Sequence, residues 1–123
     1  GAVDYQGTVY SSVKGIVIGT GSTVVDMTDT KLVAQIVHGL TGAGTMVYQV
    51  EVTDADITIA DPNATFVTYR NFNNNSGGSI TVAETGIYGQ LTYYYCIFRD
   101  VPTSVAVPDG GGCYVKYTLK ISE

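Results

Sequence analysis

Apolar and polar residues alternate along residues 113–122. Val115, Tyr117, Leu119 and Ile121 fall on one side, and Tyr114, Lys116, Thr118 and Lys120 on the other. A period of two belongs to a strand with one face against a core. Residues 45–53 repeat the pattern, with Met46, Tyr48, Val50 and Val52 set against Val47, Gln49, Glu51 and Thr53. Residues 90–99 (QLTYYYCIFR) are branched and aromatic and predict one long strand. Shorter strands are predicted over 13–18, 23–27, 31–37, 57–60, 65–70, 79–83 and 104–107. Glycine, proline, asparagine and aspartate separate them, at 19–22, 28–30, 38–44, 54–56, 61–63, 71–78, 84–86 and 100–112.

About ten short strands with turn chemistry between them predict an all-β fold. The expected form is a single antiparallel β-sandwich, jelly-roll-like or immunoglobulin-like, of about 8–10 strands. The expected division is a sandwich over 13–123, preceded by an arm or edge strand over 1–12. Val3, Tyr5, Val9 and Tyr10 make those first residues too apolar for an idle tail.

Charge changes this picture. Only 14% of the 123 residues are charged, and the net charge is −5. An ordinary soluble domain carries roughly 25% charged residues. The surface is therefore expected to be Thr, Ser, Asn, Gly and Tyr, as suits a protein exposed outside a cell or packed into an assembly. No basic patch is present to contact phosphates, so nucleic acid is not an expected partner. No apolar run approaches the roughly 20 residues of a membrane span, so no membrane is expected either.

Candidate chemistry is sparse. Cys96 and Cys113 allow one intramolecular bridge, closing a loop of about 17 residues. The alternatives are two buried thiols or an intersubunit bridge. Without CxxC spacing and with one remote histidine they do not form a zinc site. His38 is the only histidine, and no GxSxG accompanies it. Gly19-Thr-Gly21-Ser22 lacks the Lys-Ser/Thr ending of a phosphate loop and reads as a hairpin turn. Asp26, Asp29, Asp54, Asp56 and Asp61 lack EF-hand spacing and read as turn caps rather than calcium ligands. Asn63 and Asn74 each begin an N-glycosylation pattern within a predicted loop. The ten tyrosines include Tyr94 and Tyr114, expected to point outward as assembly or ligand surface. No catalytic, cofactor or metal residue is assigned, and an enzyme is not expected.

The order of these pieces resembles the small β-sandwich proteins of tailed-phage virions, of the capsid-decoration and head or tail accessory type. Strand 13–18 leads through a glycine turn to Ser22-Thr-Val-Val-Asp-Met27 and strand 31–37. Ile80-Thr-Val-Ala-Glu-Thr-Gly86-Ile-Tyr88 precedes a long strand, a glycine-bearing loop and the closing Tyr-Val-Lys-Tyr-Thr-Leu-Lys-Ile. The resemblance implies a structural protein of the virion that packs against copies of itself and a major capsid or other virion protein. An extracellular filament subunit is the alternative that the cysteines favour. A carbohydrate-binding module, with exposed tyrosines stacking on a glycan, is a further one.

Overall fold

The computed structural model describes residues 7–23, 31–53, 58–60, 63–90 and 94–122. Within them the chain is built from antiparallel strands, with no helix. A four-stranded sheet has the order β2-β1-β8-β9, made of β2 (Gln35–Ile36), β1 (Gly15–Gly19), β8 (Glu84–Gln90) and β9 (Tyr94–Asp100). In a second sheet, β6 (Asn63–Asn73) pairs along its whole length with β11 (Gly112–Ser122). The other side of β6 carries β3 (Val47–Tyr48), β4 (Val52–Thr53) and β5 (Thr58–Ala60) in succession. A two-stranded sheet pairs β7 (Ile80–Val82) with β10 (Val105–Val107).

The core joins all three sheets. Ile16, Val17, Ile18, Ile87 and Tyr88 come from the first, Met46, Tyr48 and Phe72 from the second or beside it, and Ile80, Val82 and Val107 from the third. β1 is buried at all five positions, so both of its faces are covered. That explains its continuous apolar run where an alternating one would mark a half-exposed strand.

Alternation in the last strand is as the sequence predicts. Cys113, Val115 and Tyr117 are half-buried against the core, while Tyr114, Lys116 and Thr118 are exposed. Three other expectations need correction. Residues 45–53 form two short strands: between them Gln49 keeps a backbone bond to Asn71 of β6, whereas Tyr48 bonds to His38 and Tyr10 and Glu51 to Gly7. Residues 84–86, read as a turn, instead begin β8. Gly86 sits there between Val17 and Arg99, paired on both sides. Residues 90–99 do not form one strand. β8 extends to Gln90, and β9 returns beside it from Tyr94, with a register shift at Ile87/Tyr88.

Of the two asparagines of the glycosylation patterns, Asn63 is in a strand and not in a loop, whereas Asn74 lies in a loop as expected but faces inward. Asn63 begins β6, opposite Ser122. Asn74 is fully buried, and its amide donates to the carbonyls of Gly78 and Val107 at 2.8 Å each. Its side-chain oxygen accepts from the Ser76 amide and hydroxyl. Asn74 is therefore a loop pin, with its amide nitrogen committed inside the fold.

Candidate assembly surface

The chain has two arginines, Arg70 and Arg99, and both are buried. Arg70 stands on β6, on the same side as Thr68 and Phe72. All five of its N–H groups find backbone carbonyls. Nε donates to Gln49 (2.7 Å), Nη1 to Lys14 and Ile16 (3.0 Å each), and Nη2 to Thr8 (2.7 Å) and Ser11 (2.6 Å). The guanidinium carbon lies 4.8 Å from the centre of the Tyr48 ring, a cation–π arrangement.

Glu51 completes this clasp. Its carboxylate accepts from the Ile16 amide at 2.6 Å and the Thr68 hydroxyl at 3.0 Å, while its own amide donates to the Gly7 carbonyl at 2.9 Å. Burial pushes the Glu51 carboxyl above the usual range. The Ile16 amide, the Thr68 hydroxyl and the Arg70 charge oppose that rise without cancelling it. Burial also raises the Tyr48 phenol to about 12.

The clasp fixes residues 7–12 along the side of Tyr48–Glu51 that faces away from β6. Tyr10 takes a left-handed conformation, φ 67°, which is costly without glycine's freedom. Its amide donates to the Tyr48 carbonyl at 2.8 Å, and its ring stacks on His38 at 4.7 Å. His38 Nδ1 accepts from the Tyr48 amide at 3.1 Å, so the neutral ring carries its proton on Nε2. This places His38 as a backbone acceptor and a stacking platform.

Exposed apolar residues neighbour this contact along the chain. Val9 and Tyr10 are each 51% exposed, and Val37, Leu40 and Val50 are exposed to a similar degree. Each lies within two residues of the Tyr10, His38 or Tyr48 contacts, and none carries charge.

On the opposite margin of the same sheet is a groove of about 260 Å³. Val82, Val105, Cys113, Val115, Lys116 and Tyr117 are among its lining residues. The Tyr117 and Thr85 hydroxyls are hydrogen-bonded to each other, joining β11 to β8. Tyr114, 66% exposed, and Val105, 52% exposed, stand at its rim.

The sequence-predicted residues are distributed between these regions. Val9 and Tyr10 are among the exposed apolar residues, and Tyr114 lines the groove. Tyr94 begins the pairing of β9 opposite Gln90, but its side chain lies outside the described part. Val3 and Tyr5 also lie outside the described residues, as do the five aspartates read as turn caps. Cys113 is a free, half-buried thiol, and burial raises its pKa. Cys113 is in β11 of the second sheet, opposite Phe72, and Cys96 is in β9 of the first, opposite Tyr88, with its side chain outside the described part. Among the described residues, no three His, Cys, Asp or Glu side chains gather closely enough to hold a metal ion.

Arg70, Glu51, Glu84 and Arg99 were not singled out from the sequence. A signal was present. Each arginine is a lone cation within an apolar, strand-patterned run, YRNF and IFRD, and a charge at such a position is buried only with partners. Comparison with known protein families, curated proteins and solved structures gives no match.

Proposed function

We propose that this protein is a structural subunit whose work is packing against copies of itself and other proteins of a larger particle, as in the virion of a tailed phage, without catalysis. The exposed apolar residues Val9, Tyr10, Val37, Leu40 and Val50 carry this reading. In a protein of such low charge, the buried clasp spends much of its ionic hydrogen bonding on presenting that surface rigidly. The three sheets are read as a β-sandwich whose edges are available to neighbours. An extracellular filament is the second reading, favoured because the two margins of the β6 sheet differ and suit head-to-tail contact.

Light scattering and electron microscopy of the purified chain test the proposal. Ordered oligomers are expected. Val9→Asp with Leu40→Asp, both at exposed positions, should weaken assembly at least about tenfold by placing carboxylates in an apolar contact. A monomer at all concentrations, with no binding to virion proteins, would overturn the reading.

A further inference from the structure

We propose that the outward face of the β6–β11 sheet is a glycan-binding site that takes a pyranose carrying a carboxylate. Tyr114 stacks on the sugar ring, the amides of Gln49, Asn71 and Asn73 read its hydroxyls, and Lys116 faces its carboxylate.

Strand register builds this face. Residues directly opposite each other in an antiparallel pair share one side of the sheet. Tyr114 pairs with Asn71, Gly112 with Asn73, and Lys116 with Tyr69. Cys113, Val115 and Phe72, which alternate with them, turn the other way and pack on the core. On the other side of β6, the Gln49 amide donates to the Asn71 carbonyl at 3.1 Å. The Gln49 side-chain nitrogen donates to Asn73 Oδ1 at 2.8 Å. Gln49, Asn71 and Tyr114 thus form a row across the sheet, with Asn73 beside it. Gly112 leaves room for the Asn73 amide, because a Cβ there would lie 3.2 Å from Asn73 Nδ2.

This row carries groups that the fold does not use. Tyr114 is 66% exposed, and Asn71 and Asn73 are exposed as well. Among the described residues, the Asn71 side-chain amide, Asn73 Nδ2 and Gln49 Oε1 make no hydrogen bond. A depression of about 290 Å³ lies at the row, lined by Asn71, Phe72, Asn73, Gly112, Cys113 and Tyr114. That is close to the lower end of small-ligand sites, about 300 Å³. A pyranose matches these groups. Its C–H face packs on an aromatic ring. Its hydroxyls both donate and accept, and a side-chain amide offers both partners.

Charge selects the kind of sugar. Among the described residues on the outward side of β6 and β11, Lys116 is the only charged one. In a protein of net charge −5, a face with a cation and no anion favours an anionic ligand. Lys116 is exposed and lies two residues beyond Tyr114 on the same side of β11, about 7 Å along the strand. A carboxylate on a ring stacked at Tyr114 comes within reach of it. Uronic and sialic acids share this chemistry.

Titration of the full chain with 3′-sialyllactose, tetragalacturonate and lactose, followed by saturation-transfer NMR, tests the site. At least one acidic sugar should bind, roughly two- to five-fold more tightly than lactose. Binding of sialyllactose alone would assign a sialic acid, and of tetragalacturonate alone a uronic acid. Tyr114→Ala should weaken binding about tenfold. Asn71→Ala and Asn73→Ala should each weaken it about three- to tenfold. Lys116→Gln should remove the preference for the acidic sugar over lactose, as should high salt. All four side chains are exposed, so the variants should keep the circular dichroism of the natural chain. Binding of neither acidic sugar, binding that Tyr114→Ala leaves unchanged, or equal affinity for lactose would overturn the proposal.

Discussion

Two buried ionic stations lie among the described residues, and they are wired in opposite senses. At the first, the cation does the gathering: Arg70 draws in five carbonyls, from Thr8, Ser11, Lys14, Ile16 and Gln49. At the second, the anion does it. Glu84 accepts from the amides of Gly21, Val33 and Ala34 at 2.7–2.8 Å and pairs with Arg99 Nε at 2.7 Å. Arg99 reaches on to the Thr23 carbonyl at 2.8 Å. The difference follows from which backbone groups each irregular segment leaves without a ladder partner. Residues 8–16 turn carbonyls inward and need a donor-rich fork. Gly21, Val33 and Ala34 turn amides inward and need a carboxylate. A buried charge here substitutes for strand pairing, satisfying main-chain groups whose burial unpaired costs about 1–3 kcal/mol each.

The largest test removes the fork. Arg70→Met should cost at least about 4 kcal/mol, because several carbonyls lose their donor together. Against a total stability of about 5–15 kcal/mol, that leaves the fold marginal. Arg70→Lys keeps the charge but has three donors for five acceptors, and should cost less. Urea denaturation of both variants, with limited proteolysis near residues 8–12, checks the order.

The second station should respond somewhat less to loss of its cation. Arg99→Met should cost about 3–4 kcal/mol by leaving Glu84 without its buried counter-charge. The double change Arg99→Met with Glu84→Leu sharpens the comparison. An isolated buried ion pair can often be replaced by apolar residues at little cost. Here three amides would lose their acceptor, so the double variant should not recover stability. Recovery in denaturant melts would show that the amides find other partners.

Acid should separate the stations by sign. Burial works to raise the Glu84 carboxyl, but Arg99 and the amides of Ala34, Val33 and Gly21 outweigh it and hold it below the ordinary range. Glu84 thus adds stability above the unfolded carboxyl range, lost as pH falls through its folded pKa. Glu51 is raised, so its contribution is greatest when protonated and declines as pH rises through its folded pKa. Between pH 7 and 3, the stability gap between the natural chain and Glu84→Gln should shrink. The gap to Glu51→Gln should grow. Parallel gaps would contradict the opposite wiring.

The smallest effect belongs to the platform beside the first station. His38→Ala removes the acceptor of the Tyr48 amide and the ring under Tyr10. It should cost about 1–2 kcal/mol in a thermal melt.

Much of the strand content was legible in the sequence, because a period of two is local. Residues 113–118 show it best, with Cys113, Val115 and Tyr117 inward and Tyr114, Lys116 and Thr118 outward. The candidate surface was legible in part. Val9, Tyr10 and Tyr114 stand out as apolar or aromatic residues in polar surroundings, and they are exposed. The hairpin in 84–100 was hidden because Glu84-Thr-Gly86 has the composition of a turn. Only pairing with the distant β1 and with β9 makes it the start of a central strand.

The sequence by itself determined that the chain forms strands, which face of β11 turns inward, and that few charges remain for the surface. These depend on each residue and its near neighbours. The tertiary structure decided which strands pair, that Tyr48 and Glu51 bond to residues 7–10 while Gln49 stays on β6, and that Cys113 lies in a different sheet from Cys96. Those choices rest on contacts between residues as far apart as Thr8 and Arg70 or Thr23 and Arg99. Hydrogen-bond satisfaction of buried main chain is settled across such separations, and no local pattern encodes it.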